Sequence, residues 1–302
     1  MPAAESSALS EVEVRGVLDK FGIDGSAVED VLPAMAMQVH MLSVWLNTRG
    51  EVFYPEFRYT LSGKITASAI DKAWKTLVGE TPILRTVFVA TESRDTPVMQ
   101  VVLKKEFLDE SVVRDGVWMS KEREAEQPYN RLVATKEDEK WRLRMKIHHA
   151  LYDAVSLPAI MERFAALCSN RAQQPVWPAK LPRPLLADKP ERKRFWTKYL
   201  TGAETVPLCL GSNESAARVS LVKKALPDVT SLSRTCKANG ISLQSLFFAA
   251  YAEYLSSLAP SRSTSVVFGV YLANRTDKTV GAEDFPTLRL VPIKAVLRED
   301  TG

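Results

Sequence analysis

Little in this sequence points to metal, disulfide or membrane chemistry. It holds three cysteines, Cys168, Cys209 and Cys236. Their odd number, wide spacing and lack of any CxxC or Cys/His cluster argue against a zinc site and a secreted disulfide frame. They read as small buried hydrophobes. Histidine is just as scarce at three copies. One of them, His40, has no acidic or cysteine neighbour at ligand spacing and reads as a surface or boundary residue of an opening helix. No metal site is expected. The apolar run from Val266 to Ala273 falls far short of the roughly 20 residues that a bilayer span needs, so it reads as a buried strand. Residues Met1 to Glu13 carry Glu5, Glu11 and Glu13 and no apolar core, unlike a signal peptide, so a cytoplasmic protein with no membrane partner is expected. Charge is mixed along the chain, 40 Lys and Arg against 36 Asp and Glu for a net +4, which makes nucleic acid an unexpected partner. No short internal repeat is present.

What is present is an ordinary globular composition, 46% hydrophobic and 25% charged, which excludes disordered, collagen-like and coiled-coil classes. Three hundred and two residues approach the practical limit of one core, so two lobes are expected. Between Gln174 and Pro190 five prolines, Pro175, Pro178, Pro182, Pro184 and Pro190, interrupt any periodic pattern and mark a connector. Ahead of it, Phe53, Phe57, Tyr59 and Leu61 form a period-two run, and Ile70, Ala73, Trp74, Leu77 and Val78 form a helical stripe capped by Thr66 or Ser68. Behind it, a helix from about Asp228 to Lys237 closes on Asn239-Gly240, a second passes through Leu246, Ala249, Ala250 and Tyr254, and the Val266 strand follows. Both halves read as mixed α/β units. Residues 1–30 read as a polar linker helix and tether ahead of the first lobe.

The most informative stretch runs from Trp141 to Asp153. Trp141, Leu143, Met145 and Ile147 alternate with Arg142, Arg144 and Lys146, the pattern of a half-buried strand. Continuing that period places His149 on the inward face and His148 on the polar face. Ser156 and Pro158 then start a helix whose apolar face is Ile160, Met161, Phe164, Leu167 and Cys168. His149 and Asp153 thus flank a strand-to-helix turn. An imidazole there, with an ordinary pKa near 6.5, can serve as general base or hydrogen-bond partner. A lone inward histidine is more often satisfied by a backbone carbonyl. An adjacent pair followed at the fourth position by Asp is a rarer composition, and it favours chemistry.

The string His148-His149-Ala150-Leu151-Tyr152-Asp153-Ala154 resembles the HHxxxDG motif of condensation domains of nonribosomal peptide synthetases, whose fold is similar to chloramphenicol acetyltransferase. Val31 to Gln38 is similar to that family's opening segment, Pro82 to Phe88 to its LRTxF motif, and Phe195 to Leu200 to the start of its second lobe. Gly269 to Arg275 and Phe285 to Pro292 fall where the family carries a strand ending in Arg and a GPxxNTxP segment. The stretch from Met41 to Ile65 is most similar to fungal synthetases of hydroxamate siderophores. The resemblance implies an α/β class fold, an α+β sandwich of two chloramphenicol acetyltransferase-like lobes with the second incomplete. Residues 31–173 would be the N-terminal lobe, 174–190 the connector and 191–302 part of the C-terminal lobe.

It also implies amide formation between an acyl or peptidyl thioester on a donor carrier protein and an aminoacyl amine on an acceptor carrier protein. Both would arrive on 4'-phosphopantetheine arms, with no cofactor bound directly and adjacent synthetase domains as further partners. His149 would be the catalytic residue, in a tunnel between lobes, as base or positioning group. His148 would support the loop, and Asp153 would be structural, paired with Arg85. Ala154 stands where the family carries Gly, a cost if the position requires positive φ, and Arg289-Leu290 stand where Asn-Thr is common. The chain ends well before a condensation domain does, which suggests a fragment lacking the end of the second lobe and leaving an unpaired sheet edge. Two other readings follow. One is a coenzyme A-dependent acyltransferase of the HxxxD type, although no DFGWG-like segment is present. The other is a non-catalytic carrier-binding module. The basic cluster Lys189 to Arg194 reads as a solvated helix start.

Overall fold

A computed structural model of the 302-residue chain describes residues 11–48, 50, 52–94, 96–105, 130–138, 140–171, 190–203, 223–226, 228–258, 264–273 and 285–297. The connector at 174–189, Cys209 and Arg275 lie outside the described residues. The chain divides into two compact units, residues 1–188 with 272–289, and residues 189–271 with 290–302.

In the first unit the elements follow in the order α1 (Glu11–Lys20), β1 (Val28–Pro33), α2 (Ala36–Asn47), β2 (Glu56–Leu61), α3 (Ala67–Glu80), β3 (Thr86–Ala90), β4 (Val98–Leu103), β5 (Asn130–Glu137), β6 (Lys140–Ile147) and α4 (Ser156–Cys168). Two antiparallel three-stranded sheets result, ordered β1-β4-β3 and β2-β6-β5. The alternation along β6 is realised, with Trp141, Leu143, Met145 and Ile147 buried. Those side chains join Ile70, Trp74 and Leu77 of α3 and Ile160 and Phe164 of α4 in the main core. Helix α3 begins as its sequence indicates, the Thr66 Oγ1 accepting the Ala69 N–H at 3.1 Å. The buried face of α4 includes Ile160, Phe164 and Cys168.

Two sequence expectations change in this unit. Helix α1 does not tether an otherwise complete lobe, because Leu18 is buried against Val87, Val89, Met99 and Val101 of the β1-β4-β3 sheet. The apolar side chains of one amphipathic turn are enough to dock it. Phe53 does not continue the β2 alternation. Its φ is +65°, and the strand starts only at Glu56.

In the second unit the elements are α5 (Pro190–Leu200), α6 (Val229–Ala238), α7 (Leu243–Leu258), β7 (Ser265–Leu272) and β8 (Arg289–Val296). Helix α6 opens with Asp228 Oδ1 accepting the Ser231 N–H at 2.8 Å and closes at Gly240 with φ of +66°. Strands β7 and β8 pair, and Ala252 and Leu255 of α7 pack on Val266, Phe268 and Val270. Both described cysteines, Cys168 and Cys236, are free and buried. Among the described residues no helix is long and apolar enough to cross a membrane.

Candidate active site

Strand β6 stops at Ile147, and a single 3-10 turn, His149–Leu151, leads towards α4. The turn breaks the two-residue period one residue before the histidine pair ends, so the expected orientation is reversed. His148 is fully buried and His149 half-buried. His148 acts as the cap of the turn, its Nδ1 accepting the Ala150 N–H at 3.1 Å. The rings of Trp45 (5.3 Å, 78°) and Tyr54 (5.7 Å, 59°) enclose it. Burial, reinforced by the neighbouring His149, pushes the His148 pKa down to about 3.

That depression sets a pH dependence. In the unfolded chain an imidazole takes its proton near 6.5, whereas native His148 resists protonation until about 3. The contribution of neutral His148 to stability is therefore complete above pH 6.5 and is lost as the pH falls towards 3. Urea unfolding between pH 7.5 and 4.5 is expected to show stability falling by a few kcal/mol, on the order set by the shift. His148→Asn, which keeps an acceptor but does not titrate, should flatten that slope, and equal slopes in both proteins would refute the assignment.

His149 is held at three points. Its backbone N–H donates to the Phe53 carbonyl at 2.8 Å. Its Nδ1 lies 3.0 Å from the Tyr152 carbonyl oxygen, which can only accept, so Nδ1 carries the proton and the neutral ring keeps its lone pair on Nε2. Its ring stacks on Tyr152 at 4.5 Å and 8° and makes a T-shaped contact with Phe53 at 6.1 Å and 81°. Among the described residues Nε2 has no hydrogen-bond partner. The Tyr152 ring is steadied in turn by Phe57 (5.7 Å, 82°), and burial raises its hydroxyl pKa, so it stays neutral. The positive φ of Phe53 is uncommon for a bulky residue and costs about 1–2 kcal/mol.

The far side of the turn is fastened by Gln38 in the first turn of α2. Its buried Nε2 donates to the Ala150 carbonyl at 3.0 Å and to Gln100 Oε1 at 2.9 Å, while its Oε1 accepts the Met35 N–H at 2.9 Å. Gln100, fully buried on β4, passes the network on to the Pro33 carbonyl at 3.1 Å. A satisfied buried amide of this kind fixes register as well as adding stability.

Asp153 starts α4 and ties it to a distant segment. Its Oδ1 accepts the N–H groups of Val155 (3.0 Å) and Ser156 (2.9 Å), and Ser156 Oγ accepts the Asp153 N–H at 2.8 Å, a reciprocal cap. Its Oδ2 accepts the Thr287 N–H at 3.0 Å. The expected pairing of Asp153 with Arg85 is not formed. Arg85 Nη1 donates instead to Glu29 Oε2 at 2.6 Å and to the Leu103 carbonyl, bracing β1 against β4. The reason is that a carboxylate at a helix start meets unpaired backbone N–H groups. The Val155, Ser156 and Thr287 N–H groups meet that carboxylate. Ala154 is exposed and does not take positive φ, so its departure from Gly carries no conformational cost here.

The structure thus brings His148, His149, Asp153 and Ala154 together around one turn and places Arg85 at the end of the 3-10 turn Pro82–Arg85 ahead of β3. Sequence reasoning missed Phe53, Gln38, Tyr152, Ser156 and Thr287. Ser156 was recognisable as a helix-start residue three positions after Asp153. Gln38 and Thr287 lie in segments already quoted as family-like, but nothing local marks their reach. His40 is exposed, as expected, and its ring lies 6.2 Å from that of Phe53. Among the described residues no cluster of three His, Cys, Asp or Glu side chains could hold a metal ion.

Comparison with known proteins adds three findings. A family model described as "Condensation domain" matches residues 28–286. Nonribosomal peptide synthetase SIDC of Beauveria bassiana is 40% identical over 296 residues, and nonribosomal peptide synthetase 2 of Gibberella zeae is 35% identical over 294, each match covering 94% of this chain and 6% of that protein. The hydroxamate-type ferrichrome siderophore peptide synthetase of Schizosaccharomyces pombe is 27% identical over 285 residues, 88% of this chain and 6% of that protein. The chain therefore spans about 6% of the length of these relatives. Of solved structures, one described as "The crystal structure of CT mutant" gives a TM-score of 0.66 at 21% identity over 100% of this chain and 70% of that one. The first condensation domain of the calcium-dependent antibiotic synthetase, in complex with a substrate analogue, gives 0.56 at 17% over 89% and 71%. At such identities the likeness is one of fold.

Proposed function

Since the chain belongs to the condensation-domain family, we propose that it joins the acyl or peptidyl thioester of a donor carrier protein to the amine of an aminoacyl thioester on an acceptor carrier protein. The observation that carries this reading is His149, whose Nδ1–H is engaged by the Tyr152 carbonyl and whose Nε2 is thereby left as an acceptor. As the amine nitrogen attacks the thioester carbon, Nε2 takes the proton that the nitrogen loses. The carbon–sulfur bond then breaks, and the imidazolium returns the proton to the departing thiolate. The charge that develops on the ring is stabilised by the Tyr152 carbonyl on Nδ1–H, now a charge-assisted bond, and by the stacked Tyr152 face.

Phosphopantetheine arms would deliver both substrates, and adjacent synthetase domains would supply the carriers in the cytoplasm. Assembly of a hydroxamate siderophore is the setting that the named fungal relatives support. The test mixes the chain with a loaded donor carrier and a loaded acceptor carrier and reads the acceptor by intact mass. The expected result is an acceptor heavier by the acyl group, formed only when both carriers are loaded. A product that forms equally well from acyl coenzyme A without a donor carrier would make the chain a coenzyme A acyltransferase. Absence of product from folded protein would favour a non-catalytic carrier-binding role.

A further inference from the structure

Among the described residues two aromatic rings meet the His149 imidazole, and one of them belongs to the motif turn. Tyr152 stacks on one face, while Phe53, from the loop ahead of β2, meets the imidazole in a T-shaped contact. Phe53 reaches that place with φ of +65°, a region that its Cβ disfavours. A bulky residue persists there only where the surroundings over-determine it. Here the Phe53 carbonyl accepts the His149 N–H, the Pro55 carbonyl accepts the Ile147 N–H at 3.3 Å, and the His40 ring stands on the Phe53 ring. The backbone bond to His149 needs only a carbonyl, which glycine would supply with less strain. What glycine would not supply is the ring.

Resting on the role proposed for His149, we propose that Phe53 is a positioning residue for that imidazole. Its ring confines the imidazole against Tyr152, so that Nδ1–H stays on the Tyr152 carbonyl and Nε2 stays free to accept the amine proton. Without the ring the imidazole samples other rotamers, Nδ1 loses its carbonyl, and the single ring proton redistributes between the two nitrogens. Molecules that carry the proton on Nε2 cannot take another there, and they drop out of catalysis.

The test uses the full chain with Phe53→Ala, Phe53→Gly and Phe53→Tyr. Nitrogen-15 NMR of labelled histidine, recorded without carriers or substrate, is expected to show His149 as a single Nδ1–H tautomer in the parent and in Phe53→Tyr. Phe53→Ala and Phe53→Gly should show a mixture. In the carrier assay, turnover should fall about tenfold or more in the alanine and glycine variants, with the KM for the acceptor carrier unchanged, and Phe53→Tyr should restore it. Glycine relieves the positive φ, so Phe53→Gly should melt above Phe53→Ala while remaining as slow. A single tautomer in both small variants, or Phe53→Gly turning over like the parent, would overturn the proposal. If the parent forms no amide at all, the proposed function fails, yet the NMR arm still decides whether Phe53 holds the imidazole.

Discussion

His149→Ala is expected to lower amide formation by roughly 10²- to 10⁴-fold, the range set by the loss of one positioned acid–base group, with little change in unfolding midpoint. The two halves of that expectation have separate causes. The ring is half-buried and makes one neutral hydrogen bond, to the Tyr152 carbonyl, a net contribution of about 0.5–1.5 kcal/mol. Its removal strands no buried charge, because the His149 N–H that donates to Phe53 belongs to the backbone and remains. Turnover by intact mass and thermal unfolding by circular dichroism, run on the same preparation, check both. A variant that loses stability in proportion to activity would show His149 to be a structural histidine and would remove it from the mechanism.

The second large effect is expected at Asp153, and it is one of stability. Asp153→Ala removes the cap of α4, which costs about 0.5–2 kcal/mol. It also leaves the buried Thr287 N–H without its Oδ2 acceptor, a penalty of about 1–3 kcal/mol. A combined loss of about 1.5–5 kcal/mol is a large share of a typical domain's stability. It should accompany loss of activity, since the same turn carries His149. Asp153→Asn keeps one carbonyl oxygen for the cap and should lose clearly less. Urea unfolding of the three proteins discriminates between the two contributions. A loss in Asp153→Ala of only about 1 kcal/mol, the usual cost of a cap alone, would mean that the Thr287 bond contributes nothing. Arg85→Ala, in contrast, should behave as the loss of a brace between β1 and β4 and leave the turn intact, because its guanidinium is engaged by Glu29 and Leu103.

The elements whose signals are local were legible before any coordinates. The α3 stripe, its Thr66 cap, the β6 alternation, the α4 start and the Gly240 stop depend on side-chain period and on neighbours within four residues. The histidine pair was legible as a pair, but which of the two points inward was not read correctly from period. A one-residue change, from strand to 3-10 turn at Ile147, was enough to bury His148 and leave His149 accessible. Asp153 was read as paired with Arg85, whereas its carboxylate accepts the N–H groups of Val155, Ser156 and Thr287 and Arg85 donates to Glu29. A sequence shows that a buried carboxylate needs donors, but not whether a guanidinium or a row of backbone N–H groups will provide them.

By itself the sequence indicated the family, a mixed α/β organisation, the elements β2, α3, β6, α4, α6, α7 and β7, and the residues His148, His149 and Asp153 as the centre of interest. Each of these is written in composition, in a short period or in a contiguous motif. Only the tertiary structure decided which nitrogen of His149 is left to accept a proton, which carboxylate holds Arg85, and that Gln38, Phe53 and Thr287 converge on one turn. Their partners lie 112, 96 and 134 residues away, counting Gln38 to Ala150, Phe53 to His149 and Asp153 to Thr287. Contacts at that range depend on how sheets and helices pack, and a positive φ such as that of Phe53 is set by that packing and leaves no trace in local periodicity.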